Sequence, residues 1–184
     1  ENNRESDYKE IRVDAGAGYA RTIEIKANEL EPTIAFPHMV DNARRITDPD
    51  CKDVKVQQAY LGSTTNGYFE DFAQAAHVLK GKHVADGTRL VITPGTKTVY
   101  RRMMQEGLMD IFLDAGGVIN SPGCGACPGS HEGILGDGEN CIASINRNFK
   151  GRMGNPNSFV YLASPAAVAA AAIEGKLADP RRYA

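Results

Sequence analysis

Val54-Lys-Val-Gln-Gln-Ala-Tyr-Leu61, Gly62-Ser63-Thr64-Thr65-Asn66-Gly67 and then Tyr68 to Lys80 read as a strand, a turn and a helix in that order. The first run is bounded by a cluster of small residues, as strands are. In the last, Phe69, Phe72, Ala76 and Leu79 share one helical face. Between them the turn presents backbone N–H groups and hydroxyls at a helix N-terminus. Such an arrangement attracts anions, carboxylates included. The plainer reading of the same residues is helix capping by Thr65 or Asn66.

The alternation continues outward. Arg89 to Thr93 reads as a strand, and Lys97 to Gln105 as a helix ended by Gly107. Leu108 to Ala115 reads as a further short helix. Val118-Ile119, Cys141 to Ser144 and Phe159 to Ala163 read as strands. Ser164-Pro165 opens a last helix, Ala166 to Glu174, which Gly175 stops. Strands alternating with helices indicate a three-layer αβα fold around a mostly parallel sheet, here a single domain over residues 1–184. Nearer the start, Ile11-Arg12-Val13 and Thr22 to Ile25 alternate as short half-buried strands, and residues 1–9 are expected to be mobile. Pro32, Pro37 and Pro49 make Leu30 to Asp50 irregular, and His38 there reads as a surface or packing residue.

Composition narrows the function. With 21 Lys and Arg against 23 Asp and Glu, the formal charge is −2, which gives no support for a nucleic-acid partner or an anionic membrane surface. The apolar run from Ala163 to Ile173 is too short to span a membrane, and Glu1 to Glu10 lacks the core of a signal peptide. Four cysteines, two of them spaced C-x-x-C, fit a reducing compartment, and the expected location is the cytoplasm.

That pair lies in Asn120-Ser-Pro-Gly-Cys124-Gly-Ala-Cys127-Pro-Gly129, among chain-breakers able to turn two thiolates toward one object. The object can be a metal ion, an iron–sulfur cluster or a reversible disulfide, or the pair can be structural. About twenty residues later comes Asn146-Arg147-Asn148-Phe149-Lys150-Gly151-Arg152. Arg147 and Arg152 suit carboxylates, since guanidinium forks match them bidentately, and Asn146 and Asn148 add neutral donors. All three suspect segments follow expected strands, and in parallel sheets ligands gather at loops leaving the carboxyl ends of strands. Together they suggest a metal or cluster beside a site for a di- or tricarboxylate.

These segments resemble the aconitase superfamily, most closely the third domain of the large subunit in its 3-isopropylmalate dehydratase and homoaconitase branch. Gly62-Ser63-Thr64-Thr65-Asn66 resembles that family's Gly-Ser-Cys-Thr-Asn turn, and Pro122 to Cys127 its second motif. Ser144 to Arg152 is similar to its Ser-x-Asn-Arg-Asn-Phe-x-Gly-Arg segment, and Ala163-Ser-Pro-Ala-Ala to its closing helix. The likeness runs in order from about residue 29 to 182.

The resemblance implies a hydro-lyase that dehydrates and rehydrates a hydroxy di- or tricarboxylic acid of the 3-isopropylmalate kind. It implies a [4Fe-4S] cluster on three cysteines, with one iron left open as Lewis acid. Cys124 and Cys127 would be ligands; Asn146, Arg147, Arg152, Ser63 and Asn66 would line the substrate. The family's first cluster cysteine falls on Thr64, so another metal with altered chemistry is one alternative, and a non-catalytic scaffold subunit is the other. Starting without Met and resembling only one domain, the chain is expected to work with partner chains carrying the remaining aconitase-type domains, a small swivelling subunit among them.

Overall fold

The structure, a computed structural model, describes residues 9–183. The chain divides into two units, Glu1–Leu30 and Glu31–Ala184. The expected mobility of residues 1–9 falls almost wholly outside the described residues. In the described part of the first unit the only regular element is a 3-10 turn, Ala27–Glu29. Neither strand expected there forms. Ile11, Val13, Ile23 and Ile25 alternate as a strand does, yet all are exposed. Alternation marks a segment able to pair, but a strand exists only where another backbone satisfies its N–H and C=O groups.

The second unit is built on a seven-stranded sheet. Its strands are β1 (Thr33–Ala35), β2 (Ala43–Arg45), β3 (Gln58–Gly62), β4 (Arg89–Thr93), β5 (Val118–Ile119), β6 (Asn140–Ala143) and β7 (Phe159–Leu162), in the order β2-β1-β7-β6-β3-β4-β5. The strands from β7 to β5 run parallel, as expected, while β1 and β2 form an antiparallel hairpin added at one edge. That hairpin lies in the stretch the prolines suggested was irregular. Its three-residue strands are too short to leave a periodic signal.

Helices α1 (Phe69–Leu79), α2 (Lys97–Gln105), α3 (Leu108–Asp114) and α4 (Pro165–Glu174) match the sequence reading closely. At α4, the Ser164 hydroxyl accepts the Ala167 N–H at 3.3 Å, Pro165 opens the first turn, and Gly175 closes the helix at φ 67°. None of the four is long and apolar enough to cross a membrane.

All four helices feed one apolar core. Ala59 and Leu61 of β3, Leu90 and Ile92 of β4, and Ile142 of β6 face it, against Phe72 and Leu79 of α1, Phe112 of α3 and the alanines of α4. Ala169 to Ala172 are fully buried, because side chains of one carbon let α4 lie close to its neighbours. The alternate strand residues, Tyr60, Val91, Cys141, Ala143 and Val160, point the other way. There they meet Ala126, Cys127, Leu135, Ile145 and Met153 from the connections that follow β5 and β6.

Topology explains this division of cover. From β3 the chain steps through β4 to β5 in one direction, and from β6 to β7 in the other. Right-handed crossovers running in opposite directions cover opposite faces. The outer layer on the second face is therefore the long loop of residues 120–139 with the connection at 144–158. The strand order reverses between β3 and β6, and the loops leaving their carboxyl ends diverge there into a crevice.

Candidate functional site

All three sequence segments meet at this crevice. The turn after β3 is fixed from below. Gly62 sits at φ 104°, and a Cβ there would lie 2.1 Å from the Thr93 carbonyl oxygen. Ser63 follows at φ 77°, a left-handed conformation uncommon outside glycine, and its N–H donates to the Thr93 carbonyl at 2.9 Å. Its side chain is fully buried and accepts the Thr65 N–H at 3.3 Å, so it shapes the turn from within. Neither Thr65 nor Asn66 caps α1. The cap residue is Tyr68, whose N–H donates to Asp71 Oδ2 at 3.1 Å.

Asn66 instead spans the switch point, its amide Nδ2 donating to the Ser144 carbonyl at the end of β6. In return the Ser144 hydroxyl accepts the Gly62 N–H at 2.9 Å. These two bonds tie the turn after β3 to the Asn/Arg segment after β6. Asn148 is fully buried and acts as a strut, donating to the Phe36 carbonyl at 2.8 Å. His38 nearby packs on the Phe159 ring, with centroids 5.7 Å apart.

The cysteine loop hangs from strand side chains. Tyr60 of β3 donates its hydroxyl to the Cys124 carbonyl at 3.0 Å, and burial pushes its pKa up to about 12, so the proton stays on. Gly125 passes over that hydroxyl; a Cβ there would stand 2.3 Å from Tyr60 Oη and 2.6 Å from Thr93 Oγ1. Asn120 donates to Thr93 Oγ1 at 3.4 Å from the start of the loop. Tyr60 and Thr93 are the positioning residues that sequence reasoning missed, whereas Gly125 is already one of the loop's chain-breakers in the sequence reading. An aromatic and a threonine within apolar strands carry no signal of what they hold.

Cys124 is exposed and Cys127 is buried. The Thr64 hydroxyl lies 3.6 Å from Cys124 Sγ. Across the crevice, Arg152 donates from Nη2 to Cys127 Sγ at 2.9 Å and to Asn146 Oδ1 at 3.2 Å. Its Nε is buried without a hydrogen-bond partner. Arg147 does not join this group; it is exposed and donates to the Asn146 backbone carbonyl at 2.7 Å. The structure thus gathers Thr64, Cys124, Cys127, Asn146 and Arg152, commits Ser63 and Asn66 to the turn, and leaves Arg147 at the rim.

The donor set does not match a cubane held by three thiolates. Two thiols and a hydroxyl occupy the three positions, and a threonine hydroxyl neither ionises as a thiol does nor suits soft iron. The remaining cysteines are engaged elsewhere. Cys51 Sγ donates to the Arg45 carbonyl at 3.3 Å; Cys141 is wholly buried in β6, where burial pushes its pKa up to about 12. Among the described residues, no group of three or more His, Cys, Asp or Glu side chains gathers to hold one ion.

Comparison with known proteins gives a consistent picture. The family model described as the aconitase family (aconitate hydratase) matches residues 47–175. The chain is 46% identical over 180 residues to 3-isopropylmalate dehydratase large subunit 2 of Archaeoglobus fulgidus, covering 98% of this chain and 43% of that protein. It is 49% identical over 181 residues to the 3-isopropylmalate dehydratase large subunit of Elusimicrobium minutum, with the same coverage. To large subunit 1 of that enzyme from Thermotoga maritima it is 43% identical over 182 residues, again covering 98% and 43%. The chain therefore spans less than half the length of these relatives.

Proposed function

The chain belongs to the aconitase family, and from that premise we propose that it forms the carboxylate-binding wall of an aconitase-type hydro-lyase acting on a hydroxy di- or tricarboxylic acid of the 3-isopropylmalate kind. One observation carries the reading. The Arg152 guanidinium stands between the loops after β3 and β6, its Nη2 held by Asn146 and Cys127 and its Nη1 without a hydrogen bond among the described residues. That open end of the fork can meet a carboxylate. Arg147 at the rim adds positive charge for a second carboxylate. Among the described residues no acidic side chain forms a salt bridge with either arginine.

In this reading residues 1–184 form one aconitase-like domain, and further domains are carried by polypeptide outside this chain, a small swivelling subunit among them. The names of the relatives, each a large subunit, support a multi-chain enzyme. Closure of those domains over the crevice would exclude water and strengthen each charged contact. A cytoplasmic setting fits the free thiols. The Thr64 hydroxyl beside Cys124 favours a second reading, in which the same carboxylate site works with a different metal and altered chemistry.

Titration of the native complex with 3-isopropylmalate or citrate tests the first reading. Arg152→Lys keeps the charge and loses the fork, so affinity should fall between about tenfold and a hundredfold, the scale of a charged hydrogen bond. Unchanged affinity in both Arg152→Lys and Arg147→Lys would assign the arginines to the fold and leave the chain a scaffold.

A further inference from the structure

We infer that this chain does not assemble a three-thiolate [4Fe-4S] cluster, and that the oxygen-for-sulfur difference at Thr64 is the whole of the deficit. The inference rests on the aconitase-type reading only for where a cluster would sit. The rest comes from the crevice. Thr64 is exposed, and its Oγ1 lies 3.6 Å from Cys124 Sγ, so position 64 faces the same space as Cys124 but bears an oxygen. A threonine hydroxyl holds its proton at any pH where a thiol would ionise, and neutral oxygen is a poor partner for soft iron. No other cysteine can substitute. Cys51 lies in the 3-10 turn Pro49–Cys51, donating to Arg45, and Cys141 is sealed in β6.

The surviving thiols are also unequal. Cys127 is buried and receives the Arg152 guanidinium at 2.9 Å, whereas Cys124 is exposed, with the Thr64 hydroxyl as its sulfur's polar contact among the described residues. One sulfur is thus held by a cation and the other is open to solvent. The contacts that anchor the two loops bearing these positions are nonetheless in place. Tyr60 holds the Cys124 carbonyl, Gly125 allows that approach, and Asn66 and Ser144 lock the turn bearing Thr64. A single sulfur at position 64 should therefore suffice.

The test is anaerobic reconstitution of the full chain, with its native partners, using ferrous iron and sulfide. Iron and acid-labile sulfide are counted per chain, and the electron paramagnetic resonance spectrum is recorded. Thr64→Cys should retain about four irons and four sulfides per chain, and the unsubstituted chain at least about fourfold less. The double variant T64C/C124S should lose the gain, which separates a true ligand from iron bound at random; circular dichroism checks that each variant folds. Equal cluster content in the unsubstituted chain and T64C would overturn the inference. A cluster in neither would overturn it too, since sulfur at position 64 would then not be what the site lacks. Citrate affinity of the metal-free complex is measured beside it. Its insensitivity to Arg152→Lys would refute the carboxylate reading while leaving the cluster result to stand by itself.

Discussion

The two faces of the central sheet are built from the same strands by different means. On the helix side the central strands present the aliphatic residues Ala59, Leu61, Leu90, Ile92 and Ile142. A helix satisfies its own backbone, so its cover needs nothing from the strands but apolar contact. On the loop side the same strands present Gln58, Tyr60 and Thr93, all fully buried. Each engages the loop: Gln58 donates to the Gly133 carbonyl at 2.7 Å, Tyr60 to that of Cys124, and Thr93 accepts from Asn120. A loop leaves backbone carbonyls open, and where it covers a core the strands must supply their partners. The helix face thus carries the apolar bulk of the fold, and the loop face holds thiols, amides and guanidinium at fixed positions.

Phe72→Ala should have the largest effect. Its ring is fully buried on the helix face, edge-on to Phe112 with centroids 6.2 Å apart. Removing it should destabilise the protein by about 3–5 kcal/mol in denaturant titration, while carboxylate affinity of the molecules that remain folded stays unchanged. A matching loss of affinity would mean that the faces are not separable.

Gly125→Ala attacks the loop face by adding one carbon. That carbon would collide with Tyr60 Oη and Thr93 Oγ1, at a residue already at φ 55°. Overpacking of this kind costs about 1–3 kcal/mol. The loop should lift from the sheet, and the buried Cys127 should react markedly faster with a thiol reagent under native conditions. Protection equal to that of the unsubstituted protein would show that Tyr60 is not what holds the loop.

Tyr60→Phe removes the tether without adding bulk and should cost about 0.5–1.5 kcal/mol. It also carries a pH signature. Burial raises the Tyr60 pKa from 10.0 to about 12, so its contribution is fully present below pH 10 and is lost as pH rises through the folded value. The alkaline fall in stability should therefore be shallower in the Phe variant. An identical slope would assign that fall to other groups.

The smallest effect is expected at the opposite end of the strands, where Arg89 grips both carboxylate oxygens of Glu139 at 2.8 and 2.6 Å. The guanidinium holds the Glu139 carboxyl below its usual range. The stabilisation is present above the unfolded carboxylate pKa and lost as pH falls through the lower folded one. With Arg89 about half exposed, Glu139→Gln should cost under about 1 kcal/mol at neutral pH, and the gap should close in acid. Stability curves that stay parallel from neutral to acid pH would contradict it.

The sequence by itself determined the parallel alternation of strands and helices, the bounds of all four helices to within a residue or two, and the three segments that meet at the crevice. These are local properties. Periodicity, a serine before a proline and a glycine at a helix end act within a few residues, and they survive in any context that permits the element. Context failed Ile11 to Val13 and Thr22 to Ile25, where alternation is present and no backbone among the described residues pairs with it, and it created the β1–β2 hairpin where local pattern was silent. Only the tertiary structure decided which face the loop covers, that Ser63 and Asn66 serve the turn while Arg152 reaches Cys127, and that Thr64 stands beside Cys124. The contacts between loops join residues far apart in the chain: 25 positions for Arg152 with Cys127, 60 for Thr64 with Cys124 and 78 for Asn66 with Ser144. Their partners are chosen by crossover handedness and by the need to satisfy buried polar groups, and neither is written in any short window of sequence.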